Sequence, residues 1–183
     1  MKTVTPALPA AVAIAIVIAA AGCAAPALAC GPTGPTDPQI AAIVVTANQV
    51  DIDAGRLAEA RATDAEVKAF GKMMVTDHSG VNEAAVALVH RLHVTPEDNP
   101  TAEDLKKGGQ DNVAHLETLT GGAFDRAYID HEVAYHQAVL AAVDQTLIPG
   151  AHNAELKALL VKVRPAFVAH LDHAKMLQAK LER

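Results

Sequence analysis

The chain has no tryptophan, and its aromatic residues are limited to Phe70, Phe124, Phe167, Tyr128 and Tyr135. Yet 51% of its 183 residues are hydrophobic, so the core must be drawn from Ala, Val and Leu packed through close helix contacts. A domain of this size buries roughly two thirds of its unfolded surface, enough to fold without staples. Cysteine is almost as scarce as tryptophan. Cys23 and Cys30 both fall near the start, which leaves the rest with no internal disulfide and no cysteine metal site. There is no basic stripe, and the net charge of −6 excludes a nucleic-acid partner. Walker-type and dinucleotide-binding glycine patterns are absent too.

What is present begins with an export signal. Lys2 gives a minimal positive start, and the apolar run Ala10 to Ala21 is too short to span a bilayer as a stable anchor. It fits the hydrophobic region of a secretory signal. Two processing sites compete. Ala27-Leu28-Ala29 fits small-residue cleavage, which makes residues 1–29 a signal peptide. Ala20-Ala21-Gly22-Cys23 resembles a lipobox, which would end the signal at residue 22 and leave a lipidated Cys23. The lipobox has Ala where Leu is preferred, but it follows the apolar run directly. Either way the expected location is periplasmic or at the cell envelope, with membrane contact only through a lipid. Residues 30–36 read as a flexible tether, and 37–183 as one helical domain.

Periodicity places four amphipathic helices in that domain. Helix one starts at Asp37-Pro38, with Asp37 as the expected cap and Pro38 in the first turn. Its stripe runs from Ile40 through Val44, Val50 and Ala54 to Ala58, and Asp51 lies at the edge. Helix two runs from an Asp64 cap to about Leu92 through Val67, Phe70, Met74 and Leu88. Between helices two and three, Thr101 starts a short helix that Gly108-Gly109 is expected to break, and Asp111 to Thr120 forms another turn. Helix three covers Gly121 to Leu147, and helix four follows an Asn153 cap, with Pro165 expected to kink it. No segment reads as a strand. The expected fold is all-α, an antiparallel four-helix bundle with short extra helices between helices two and three.

Polar residues interrupt the stripes at helix centres. Helix three repeats Ile129, Val133, His136, Leu140, Val143 and Leu147, with Glu132 one turn before His136. His78 and His170 interrupt helices two and four in the same way. Three inward imidazoles suit zinc or copper, and adding Glu132 or Asp51 suits iron or manganese better. Met73 and Met74 add a soft-ligand option for cuprous copper. Depth separates the histidines. His78 lies 14 residues before Leu92 and His136 lies 13 after Ala123, one level in an antiparallel pair. His170 lies 18 residues after His152, whereas helix three continues only 11 past His136, a mismatch of about 10 Å at the helical rise. A His78–His136 pair is therefore expected ahead of a complete three-histidine site. The competing reading is structural, since a lone buried histidine usually hydrogen-bonds a neighbour and binds nothing. His90, His93, His115, His131 and His152 read as surface residues, and Asp125 as a brace at the start of helix three.

One combination carries a family resemblance. Val67-Lys68-Ala69-Phe70, Met74-Val75-Thr76-Asp77-His78, Leu119-Thr120-Gly121, Phe124-Asp125, Tyr128, His136, and Pro165 with His170-Leu171 resemble the bacterial exported family called domain of unknown function 4142. The resemblance covers about residues 37–180 and implies a ferritin-like bundle in the envelope. Ferritin-like relatives that bind two irons use Glu-x-x-His, and no Glu stands three residues before any of the nine histidines. That argues against a dinuclear iron oxidase, and no catalytic residue is assigned. The functional expectation is an exported helical protein binding zinc, copper or iron through His78, His136, His170, Glu132 and Asp51. Its alternative is a noncatalytic envelope or stress-related protein acting through a protein partner.

Overall fold

Thr36 sets the first helix. Its hydroxyl accepts from the Gln39 backbone at 3.4 Å while Gln39 Oε1 accepts from the Thr36 backbone at 3.0 Å, a reciprocal capping box. In this computed structural model, which describes residues 34–183, α1 is Asp37–Arg61. Residues 1–33, and with them the expected signal peptide, Cys23 and most of the tether, lie outside the described residues. Asp37 is not the cap. Its carboxylate instead accepts from the backbones of His152 and Asn153, both at 2.9 Å, and joins the start of α1 to the last helix.

The other starts follow side-chain chemistry. Asp64 caps α2 (Ala65–Arg91) by accepting from Glu66 and Val67. Asn99 caps α3 (Pro100–Glu117), with Pro100 in the first turn. Next come α4 (Gly121–Ala142), a π-helical turn (Val143–Leu147) and a single turn, α5 (Ile148–Gly150). Asn153 caps α6 (Ala154–Leu181), which continues through Pro165. No strand forms among the described residues, so the all-α expectation holds. The main packing pairs are α1 with α2, α1 with α3, α4 with α6, and α2 with α6.

Three expectations need correction. The segment between α2 and α4 is one 18-residue helix, not two short ones, and it runs straight through Gly108-Gly109. Gly109 is there for close packing: a Cβ on it would stand 2.6 Å from Val50 Cγ2. Asp125 accepts from Thr63 N, Thr63 Oγ1 and Asp64 N, so it braces the α1–α2 connection and not the start of its own helix. The depth argument against His170 fails because the α4 segment stays helical beyond Leu147, through Gly150. Measured on the real elements, His136 lies 14 residues before Gly150 and His170 lies 16 after Ala154, so the mismatch nearly vanishes.

Two apolar clusters organise the long helices. One contains Val67, Phe70, Met74, Phe124, Tyr128 and Leu177; the other contains Ile40, Leu88, Val143, Leu147, Leu156 and Leu160. On α1 and α6 the chain meets the second cluster before the first, and on α2 and α4 the order reverses. Asn48 and Asp51 on α1, His78 on α2, His136 on α4 and His170 on α6 are buried between the two clusters, while Glu132 borders the first and Asp125 lies within it. The fold thus sandwiches a polar layer between two hydrophobic ones.

Close packing of α1 is testable. A Cβ on Gly71 would lie 2.8 Å from the Gly55 carbonyl oxygen, and the atoms nearest to one on Gly109 would all belong to the Val50 side chain. Each Gly→Ala change should cost about 1–3 kcal/mol in denaturant unfolding. Val50→Ala should rescue Gly109→Ala but leave Gly71→Ala unrescued, because backbone cannot be trimmed.

Candidate metal centre

Each imidazole reaches the polar layer because it replaces one apolar residue on an inward helix face. His78 comes from α2, His136 from α4 and His170 from α6, and all three are buried. Their ring centroids are 5.6 Å (78–136), 5.2 Å (78–170) and 5.5 Å (136–170) apart. One nitrogen of each ring lies within 4.8 Å of one nitrogen of the other two. The complete trio forms, where the helix depths had favoured a pair. Phe167 stacks on His78 at 5.4 Å with the rings 4° from parallel.

The hydrogen bonds fix which nitrogen is free. Asn48 Nδ2 donates to the Val44 carbonyl at 2.7 Å, so its Oδ1 is the acceptor facing His78 Nδ1 at 2.7 Å. His78 Nδ1 must then carry the proton. His136 Nδ1 donates to the Glu132 carbonyl at 3.1 Å. His170 Nε2 donates to Asp77 Oδ2 at 2.9 Å. The remaining nitrogens, His78 Nε2, His136 Nε2 and His170 Nδ1, are buried with no partner. This is how metal-binding histidines are held, with one nitrogen tied to an outer acceptor and the other presenting a lone pair.

Two carboxyls complete the cluster. Asp51 and Glu132 are buried, and one oxygen from each lies within 4.8 Å of the other and of a His136 nitrogen. Asp51 Oδ2 stands 3.4 Å from His78 Nδ1, and Glu132 Oε2 3.4 Å from His136 Nδ1. Asp51 Oδ1, both Glu132 oxygens and the Tyr128 hydroxyl find no hydrogen-bond partner. Among the described residues ten buried side-chain polar atoms lack partners, and seven of them belong to this one cluster. Buried polar atoms are rarely left unsatisfied, so such a concentration makes this cluster the candidate site.

Burial keeps the metal-free cluster nearly uncharged. It lowers His78 to about 2, with the charges of His136 and His170 adding to the effect, and lowers His136 to about 4. His170 is lowered by burial against the opposing pull of Asp77. Burial raises Asp51 well above the carboxylate range, the nearby Glu132 charge adding to it, and raises Glu132 to about 8. A proton held between the two carboxyls is what burial favours.

The five sequence-derived candidates fall into two groups, His78 with His136 and His170, and Asp51 with Glu132 and His136, which share His136. Asn48 was missed. Its signal was available, a polar residue inside the α1 stripe three positions before Asp51. His131 is half-buried and not a surface residue; it stacks on Tyr135 at 5.5 Å, and burial lowers it to about 4. His90, His93, His115 and His152 are exposed as expected. Met74 lies in the apolar cluster with Phe70 and Tyr128.

Fold and cluster together define an all-helical protein with buried imidazoles and carboxyls close enough together to hold a metal ion. The chain belongs to the family described as Domain of unknown function (DUF4142), whose model matches residues 22–177. No curated protein and no solved structure matches it.

The ionisations predict a stability maximum. His78 and His136 charge near 6.5 when unfolded but only at about 2 and about 4 when folded, so their contribution is present above pH 6.5 and lost as pH falls. Glu132 loses its proton near 4.5 unfolded and near 8 folded, so its contribution is present below pH 4.5 and lost as pH rises through 8. Above pH 6.5 only the carboxyls act. Between 4.5 and 6.5 the depressed histidines, His131 and His170 included, outnumber them. Unfolding free energy of the metal-free protein, read from denaturant titrations, should peak near pH 6.5 and fall on both sides, by at most about 1.4 kcal/mol per pH unit for each titrating group.

Proposed function

We propose that this is an exported metal-binding protein whose ion is held by His78, His136 and His170 together with Glu132 or Asp51. The observation carrying this reading is that three buried imidazoles bring nitrogens within 4.8 Å of one another while each ring keeps one nitrogen with no protein partner. Mixed imidazole and carboxylate donors suit iron or manganese, while the imidazoles alone suit zinc or copper. Ligand atoms up to 4.8 Å apart are wider than the roughly 4.2 Å that two ligands about 2.1 Å from one ion can span, so binding would draw the helices' side chains inward. Asn48 and Asp77 would orient His78 and His170, and Tyr128 would supply a hydroxyl beside the carboxyls.

The order in which the helices meet the two apolar clusters supports a four-helix bundle of ferritin-like connectivity. In it α1–α2 and α4–α6 are antiparallel pairs, and α3 belongs to the long crossover between them. The donor set departs from the paired Glu-x-x-His of two-iron relatives, which favours a single-ion or binding role over a dinuclear oxidase. The apolar run Ala10 to Ala21 with its two following cleavage motifs supports export. Mass spectrometry of the mature amino terminus should find either a lipidated Cys23 or a free Cys30.

Element analysis of untagged protein from the envelope fraction should find a transition metal in stoichiometric amount. A His78→Ala/His136→Ala double variant should lose it, and Asn48→Ala should weaken binding about 10–100-fold. Adding metal at a hundredfold excess over its dissociation constant should stabilise the fold by about 2.7 kcal/mol. A melting temperature unmoved by every metal would favour the noncatalytic structural reading.

A further inference from the structure

The five ligand candidates, together with Asn48 and Tyr128, are each at most 3% exposed. Asp77 differs. It accepts from His170 Nε2 at 2.9 Å, yet 45% of its side chain is open to water. The other two imidazoles have no such link: His78 faces buried Asn48, and His136 donates to the backbone of buried Glu132. The His170 ring thus spans a boundary, with Nε2 toward a solvated carboxylate and Nδ1 unpartnered inside.

Asp77 and His170 meet across the α2–α6 seam, which packs more sparsely than α1 on α2 or α4 on α6. A cleft lined by Ala84, Leu88, Ala158 and Leu159 lies farther along the same seam. A cation entering an apolar interior must have its water replaced by ligands as it goes. A solvated carboxylate supplies the first replacement, and the imidazole beneath it the second. The cavity beside Asn48, Asp51 and His78 is otherwise lined by apolar side chains, Val139, Val143 and Phe167 among them, which offer a cation nothing.

We propose that Asp77 is the capture point through which a divalent transition-metal cation reaches the buried donors, with His170 the first of them it meets. The inference rests on the metal reading, since without an ion there is nothing to load. It gives Asp77 a role in the rate of loading, beyond holding His170 in orientation.

The test reads rates. Metal-stripped full chain is mixed with cobalt(II) alone, and loading is followed by the visible absorption of the bound ion. Gly80 lies three residues beyond Asp77 on α2, is exposed, and has open space where a Cβ would stand. Gly80→Lys should slow loading and Gly80→Glu should speed it. Each effect should be about tenfold, as for one unit charge about 6 Å from a divalent ion in water, and should shrink in about 1 M salt. Bound cobalt per chain should stay the same. Gly108→Lys, equally open but on α3, should leave the rate alone. Asp77→Asn keeps an acceptor for His170 Nε2 while removing the charge, and should slow loading about tenfold. An Asp77 that only orients the ring would show in release instead. Full loading at rates unmoved by the Gly80 and Asp77 changes would overturn the capture point and leave the metal reading standing. So would a Gly108→Lys chain slowed as much as Gly80→Lys. No cobalt bound by the unaltered chain would remove both.

Discussion

The structure depends on how three imidazoles are oriented inside an apolar interior. Each ring donates one N–H to an acceptor from its own or a neighbouring helix: the Asn48 amide, the Glu132 backbone carbonyl, the Asp77 carboxylate. Those bonds fix both tautomer and ring plane, because a carbonyl or carboxylate can only accept. The second nitrogen is then committed to pointing inward without a proton. Everything chemical about the molecule follows from that commitment.

Burying five ionisable groups in one layer is costly unless they are neutral, paired or bound to an ion. The protein uses neutrality for the imidazoles and proton retention for the carboxyls, both enforced by the hydrophobic clusters on either side. Such a layer is poor at maximising stability, since apolar residues of similar volume would serve the fold as well or better. Its members come from four separate helices, α1, α2, α4 and α6.

Close packing makes this geometry possible. With few rings to fill space, α1 approaches its neighbours through glycine at Gly55 and Gly71, and α3 settles on Val50 through Gly109. Short distances between helix axes bring side chains as short as Asp51 within reach of His136. The scarcity of aromatics and the compactness of the donor cluster are two consequences of one composition.

The sequence by itself determined the long helices, two of the four side-chain caps and the polar positions inside the stripes, because a polar residue in an apolar stripe of period 3.6 declares itself locally. Asp64 and Asn153 were legible as caps for the same reason: they bond to backbone two or three residues away. What only the tertiary structure decided was anything set by a partner distant in the chain. Gly109 reads as a breaker until Val50 is seen against it, and Asp125 reads as a helix start until Thr63 and Asp64 donate to it. His170 reads as out of level because Pro149-Gly150 reads as a helix end, whereas the chain stays helical past Leu147 through Gly150. Likewise, which nitrogen each histidine leaves free depends on acceptors mostly lent by other helices, and that information exists only once the helices have packed.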